Sequence, residues 1–167
     1  TALATQIADT VASSGRRVHL FSIEMGGKEI AARTLASRTG FYVSAIQGGL
    51  SDHVGSERLI GAAERAAEIS LSVTDSRPIS CSEIRDLAAQ TKQKHGLGLI
   101  VVDYLQMIRP STKGRSREQE VSEISRELKE LAGTLEAPVL VCAQLSRQHI
   151  NEKRAPQLHD LRESGSI

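Results

Sequence analysis

The chain has 167 residues, 40% of them apolar and 25% charged, enough for one ordinary domain with a real core and too apolar for a disordered segment. Aromatic residues are only 2%, and the net charge is +1. This excludes an aromatic base-stacking platform and a global basic field, so any nucleic-acid contact has to come from local patches. Two cysteines make no disulfide framework. No apolar run reaches the ~18 residues of a membrane span, and no basic leader with a cleavage site opens the chain. A reducing, cytoplasmic setting without membrane contact is the expectation.

Leu3, Ile7 and Val11 lie four residues apart and predict a helix over 2–12, ended by Ser14-Gly15. Residues 18–23 read as a strand, broken by Gly26-Gly27. Residues 28–39 read as a second helix with Ile30 and Leu35 inward. An Ala-rich helix follows over 56–69, then a short strand over 71–75. Ser80 or Ser82 suits the cap of a helix that runs to about His95, before Gly96.

The stretch "LGLIVVDYLQM" comes next, residues 97–107. Leu97, Leu99, Ile100, Val101 and Val102 run straight into Asp103, without the alternation of a surface strand. A basic loop over 109–117 leads into a helix whose Val121, Ile124, Leu128, Leu131 and Leu135 recur at amphipathic spacing. Pro138 opens "VLVCAQL", a second apolar strand ending in Gln144, and the remaining tail is polar and weakly patterned.

Strands alternating with helices predict an α/β fold with a parallel sheet covered on both faces. In such sheets ligands sit outside the carboxyl ends of the strands, and Asp103, Gln144 and Glu24 each stand at or just past one. An acid there is either a turn starter or the group that holds a cation for phosphoryl transfer from a nucleotide. Glu24 is either a solvated loop acid or a base that orients and deprotonates an attacking water. Gln144 is either a polar strand end or a hydrogen-bonding partner of that water or of a phosphate. Thr1 runs directly into a helix, as does the last residue of a phosphate-binding Gly-Lys-Ser/Thr loop, and is the candidate hydroxyl ligand of magnesium.

Arg162 and Gly165 near the end of the chain offer a charge and close backbone approach to phosphate; a plain helix-to-loop turn is the other reading. Arg109, Lys113, Arg115 and Arg117, and after Gln144 the residues Arg147, Lys153 and Arg154, form two basic stretches. These are either solvated loops or the lining of a channel for nucleic acid. The histidines and cysteines never cluster at ligand spacing, so no zinc site is expected.

In this order and at these spacings, "FSIEM", "GLGLIVVDYLQMI", "QEVSEISRELKELA", "VLVCAQLSR" and "DLRESGSI" resemble the RecA-like motor domain of DnaB-type replicative DNA helicases over essentially the whole chain. The resemblance implies a RecA-like three-layer α/β/α fold with a mostly parallel, truncated central sheet. Residues 1–167 would form one partial ATPase domain, beginning at the last residue of Walker A and ending within the DNA-binding segment. It implies ATP or another nucleoside triphosphate and Mg2+ as cofactors. It also implies a homohexameric ring moving 5′ to 3′ on single-stranded DNA at a replication fork, with a primase and a helicase loader as partners.

Carried over by position, Thr1 closes Walker A, Glu24 is the catalytic glutamate and Asp103 is the Walker B acid. Thr1 and Asp103 are then the magnesium ligands, and Gln144 couples the γ-phosphate to the DNA-facing loop. Arg162, Glu163 and Gly165 meet the single-strand backbone. Without the phosphate-loop glycines and lysine, the 167-residue polypeptide alone is expected to bind nucleotide poorly and to hydrolyse little or none. A second reading, from another class, is a non-hydrolysing single-stranded-DNA-binding or ring-assembly module of the same fold.

Overall fold

Four short aliphatic runs pair side by side, all parallel: β1 (Val18–Ser22), β2 (Leu71–Thr74), β3 (Leu99–Asp103) and β4 (Val139–Val141), in the spatial order β2-β1-β3-β4. The computed structural model describes residues 1–49, 53–75, 78–112, 114–145, 152–155 and 157. The helices are α1 (Ala2–Ser13), α2 (Gly27–Thr39), α3 (Val43–Gly48), α4 (His53–Ala67), α5 (Cys81–His95) and α6 (Arg117–Thr134). A 3₁₀ turn, Leu105–Met107, follows β3.

The two central strands, β1 and β3, are buried at every position, because helices cover both sides of the sheet. Alternate residues feed two cores. Val18, Leu20, Leu99 and Val101 pack with Ala4, Ala8 and Ala12 of α1 and Ile30 of α2. Phe21, Ile23, Ile100 and Val102 pack with Ile84 and Ala88 of α5 and Val121, Ile124, Leu128 and Leu131 of α6. This is the parallel sheet covered on both faces that the alternation of elements predicted, in the three-layer α/β/α form that the resemblance implied. Among the described residues, no helix is long and apolar enough to cross a membrane.

Four local expectations change. The stripe of α1 that meets the sheet is Ala4, Ala8 and Ala12, while Leu3 is 70% exposed and Ile7 and Val11 flank the core; small residues let the helix lie close to the strands. The six-residue α3, which buries no residue of its own, is too short to leave a periodic signal. Helix α4 begins at His53 and ends at Ala67, earlier at both ends than the Ala-rich run suggested. Strand β4 ends at Val141, so Gln144 lies on the loop beyond it.

Ser80 rather than Ser82 caps α5. Its side chain accepts from the Glu83 backbone N–H, and the Glu83 carboxylate accepts from the Ser80 N–H at 2.8 Å, a reciprocal box that satisfies two otherwise orphaned donors. Gly40 ends α2 in the left-handed region at φ 74°, where its N–H reaches the Ala36 carbonyl at 2.8 Å, a conformation that costs a glycine little.

Candidate functional site

The parallel register carries three side chains to one row at the carboxyl edge of the sheet. Ser22 pairs with Asp103 across β1 and β3. Val102 pairs with Val141 across β3 and β4, and the next residue, Cys142, donates its N–H to the Val102 carbonyl at 2.9 Å. Ser22, Asp103 and Cys142 therefore stand side by side on the face that α1 covers. Ser22 is fully buried and its hydroxyl donates to the Met25 carbonyl at 2.7 Å, holding the turn out of β1.

Helix α1 presents its amino end to this row. The Thr1 nitrogen lies 3.7 Å from Asp103 Oδ1. Thr1 is the N-cap of α1, yet its side chain makes no capping hydrogen bond, so the hydroxyl is not spent on the helix. Asp103 is 3% exposed, and among the described residues its Oδ2 has no hydrogen-bond partner. A buried carboxylate oxygen without a donor is costly. At a helix amino end, where the macrodipole is positive and N–H groups point outward, that oxygen suits a hard cation shared with an anionic ligand. The residues present thus fit magnesium with a nucleotide: Asp103 and the Thr1 hydroxyl to hold the ion, the first turn of α1 to face phosphate.

Glu24 stands exposed two residues beyond Ser22, on a loop whose Ile23 N–H is held by the Asp103 carbonyl at 2.8 Å. Gln144 stands exposed two residues beyond Cys142. Thr1, Glu24, Asp103 and Gln144 thus share one rim, with Thr1 and Asp103 in direct approach.

Two further residues organise that rim without having stood out in the sequence. Gln106, in the 3₁₀ turn after Asp103, uses its side-chain amide on the backbone of Gln144, donating to its carbonyl at 3.3 Å and accepting from its N–H at 3.2 Å. Arg117 in turn donates to the Gln106 carbonyl. Asp75, just past β2, accepts from the Gly27 N–H at 2.7 Å and so caps α2 from a distant strand. The signal for Gln106 was its place in "DYLQM"; for Asp75 nothing local marks the partner.

The basic residues after Asp103 do not form one open loop. Arg109 pairs with Glu83 at 3.0 Å, Arg115 with Glu123 at 3.4 Å, and Arg117, already the first residue of α6, with Glu120 at 3.0 Å. The Arg109 backbone also bridges to the start of α5, its N–H on the Ile79 carbonyl at 2.8 Å. Hydrogen bonds from Ser80 and then the charge of Arg109 hold the Glu83 carboxyl below its usual range. Lys113, Arg147, Arg162, Glu163 and Gly165 lie outside the described residues.

The Cys142 thiol is half-buried beside this site. Burial, and then the neighbouring Asp103 carboxylate, push its pKa up. Cys81, at the start of α5, is 1% exposed, and burial together with Glu127 pushes it up to about 12.

Known proteins share this fold. The replicative DNA helicase DnaB of Rickettsia bellii is 39% identical over 151 residues, 90% of this chain and 30% of that protein. The replicative DNA helicase DnaC of Bacillus subtilis is 39% identical over 171 residues, covering the whole chain and 37% of that protein. The chain therefore spans about a third of the length of these curated relatives. A solved structure of the ATPase domain of G40P superposes with a TM-score of 0.91 at 30% identity, over 98% of this chain and 60% of that one. A DnaB-like replicative helicase, described with its interactions with primase, superposes with a TM-score of 0.92 at 32% identity, over 100% of this chain and 41% of that one. The sheet and its covering helices are those of RecA-like ATPase domains. The family described as the DnaB-like helicase C-terminal domain matches residues 1–167, and the chain belongs to that family.

Proposed function

We propose that the protein to which this chain belongs is an ATP-hydrolysing replicative DNA helicase, moving 5′ to 3′ along single-stranded DNA as a homohexameric ring. We further propose that residues 1–167 supply the catalytic rim of its motor domain. The observation that carries the reading is Asp103: a buried acid at the end of a central parallel strand, one oxygen unpaired and the other 3.7 Å from the nitrogen of Thr1, the N-cap of a helix.

In this reading Asp103 and the Thr1 hydroxyl hold magnesium, which when bound neutralises charge on the phosphate oxygens. Glu24, exposed on the neighbouring loop, orients water and accepts its proton. Gln144 senses the terminal phosphate and passes its state to the segment that follows. Arg162, Glu163 and Gly165, with Arg147, Lys113 and the arginines after Asp103, face the DNA backbone. A primase and a loader are partners of the whole protein; among the relatives, a solved DnaB-like helicase is itself described with primase.

The test joins the chain to the segments that flank it in its own gene and measures ATP hydrolysis with and without single-stranded DNA. Glu24→Gln and Asp103→Ala are each expected to lower turnover about 100-fold or more; near-normal turnover in either variant removes that residue from the site. The DNA-facing assignment has its own check. Arg109→Ala, Lys113→Ala and Arg115→Ala combined are expected to flatten the salt dependence of single-strand binding. Arg117 is left in place because it holds the Gln106 carbonyl. An unchanged slope takes these residues off the DNA path.

A further inference from the structure

The rim contains one group that triphosphate hydrolysis does not call for, the thiol of Cys142. Parallel register sets it beside Asp103, on the same face and one step beyond the Val102–Val141 pair. On the other side of Asp103, the Ser22 proton is already committed to the Met25 carbonyl, so Ser22 does not donate to the carboxylate. The 3%-exposed Asp103 is left with an unpartnered Oδ2 and a sulfur as its neighbour.

We infer that the Asp103 carboxylate and the Cys142 sulfur together form a site for a thiophilic divalent cation, of the cadmium and zinc class. The inference rests on the reading of Asp103 as the cation-holding acid and extends it. Oxygen ligands alone suit magnesium, whereas a thiolate favours softer ions. Binding breaks the S–H bond, releases the proton to solvent and forms a sulfur–metal bond, with no change of oxidation state. Among the described residues no three His, Cys, Asp or Glu side chains gather as ligands. The site therefore offers two protein ligands of that kind, the Thr1 hydroxyl and water completing the shell, and it binds more weakly than a closed structural zinc site.

The experiment titrates cadmium chloride into the reduced 167-residue chain without nucleotide and follows the ultraviolet thiolate-to-cadmium charge-transfer band. A saturable band is expected that persists in Cys81→Ser and vanishes in Cys142→Ser and in Cys142→Ala; far-UV circular dichroism matching the parent in at least one of the latter shows that the fold is kept. Asp103→Asn is expected to weaken cadmium binding by about tenfold or more. A band that survives loss of Cys142, the absence of any saturable band, or unchanged affinity in Asp103→Asn overturns the inference.

Magnesium-dependent nucleotide binding by the protein with its flanking segments separates the two readings. If that binding needs Asp103 while no cadmium band forms, the thiophilic site alone falls. If it ignores Asp103 while the band depends on both residues, the functional reading falls and the thiophilic site stands.

Discussion

His19 sits in the middle of the sheet at 4% exposure with both ring nitrogens occupied. Nδ1 lies 2.9 Å from the Thr91 hydroxyl and Nε2 2.9 Å from the Thr74 hydroxyl. The Thr91 hydroxyl donates to the Leu87 carbonyl at 3.0 Å, so it accepts from His19, and the network assigns the proton to Nδ1. The ring stacks on Phe21 at 4.2 Å. Burial lowers its pKa from 6.5 to about 4. Between those values the unfolded chain takes up a proton that the folded chain refuses, so this contribution to stability is complete above pH 6.5 and is lost as the pH falls toward 4. Denaturant unfolding across that window is expected to show an acid-side loss about 2 kcal/mol larger in the parent than in His19→Gln; equal losses would show that the ring is not held neutral. In the sequence His19 was only a histidine without neighbours, since Thr74 and Thr91 reach it from another strand and another helix.

Elements meet at the rim through Gln106. The turn after β3, the loop after β4 and the start of α6 are joined by its amide on the Gln144 backbone and by Arg117 on its carbonyl. These are partly exposed bonds, so Gln106→Ala is expected to cost no more than about 1 kcal/mol of stability. If Gln144 couples nucleotide to DNA as proposed, the same change lowers the ratio of DNA-stimulated to basal ATP hydrolysis severalfold. An unchanged ratio would make the link merely structural. At this scale much was legible. Ser80 was one of two serines suited to cap α5, and only its reciprocal bonds with Glu83 decided between them; five apolar residues leading into Asp103 announced a strand buried on both faces. What failed at this scale was the end of β4, because three paired residues and their extended continuation look alike in sequence.

The whole molecule depends on how closely α1 approaches the sheet, because that approach sets Thr1 against Asp103. Ala4, Ala8 and Ala12 line the contact, with Ala8 fully buried. Ala8→Leu is expected to cost about 1–3 kcal/mol by overpacking, read as a lower denaturation midpoint; an unchanged midpoint would mean that the interface has slack. The periodic Leu3, Ile7 and Val11 pointed to a helix correctly, but Ile7 and Val11 only flank the buried contact, which small side chains make, and Leu3 stands exposed.

The sequence by itself determined that the central strands are covered on both faces, that carboxylates follow two of them, and that α1 ends at Ser14-Gly15 and α5 before Gly96, because each rests on the chemistry of a few adjacent residues. Tertiary structure alone decided that β1, β3 and β4 are neighbours and in register, and thus that Ser22, Asp103 and Cys142 form one row beneath the amino end of α1. Strand order is set by how whole helices pack over the sheet, and no local pattern of side chains encodes which distant strand will lie alongside.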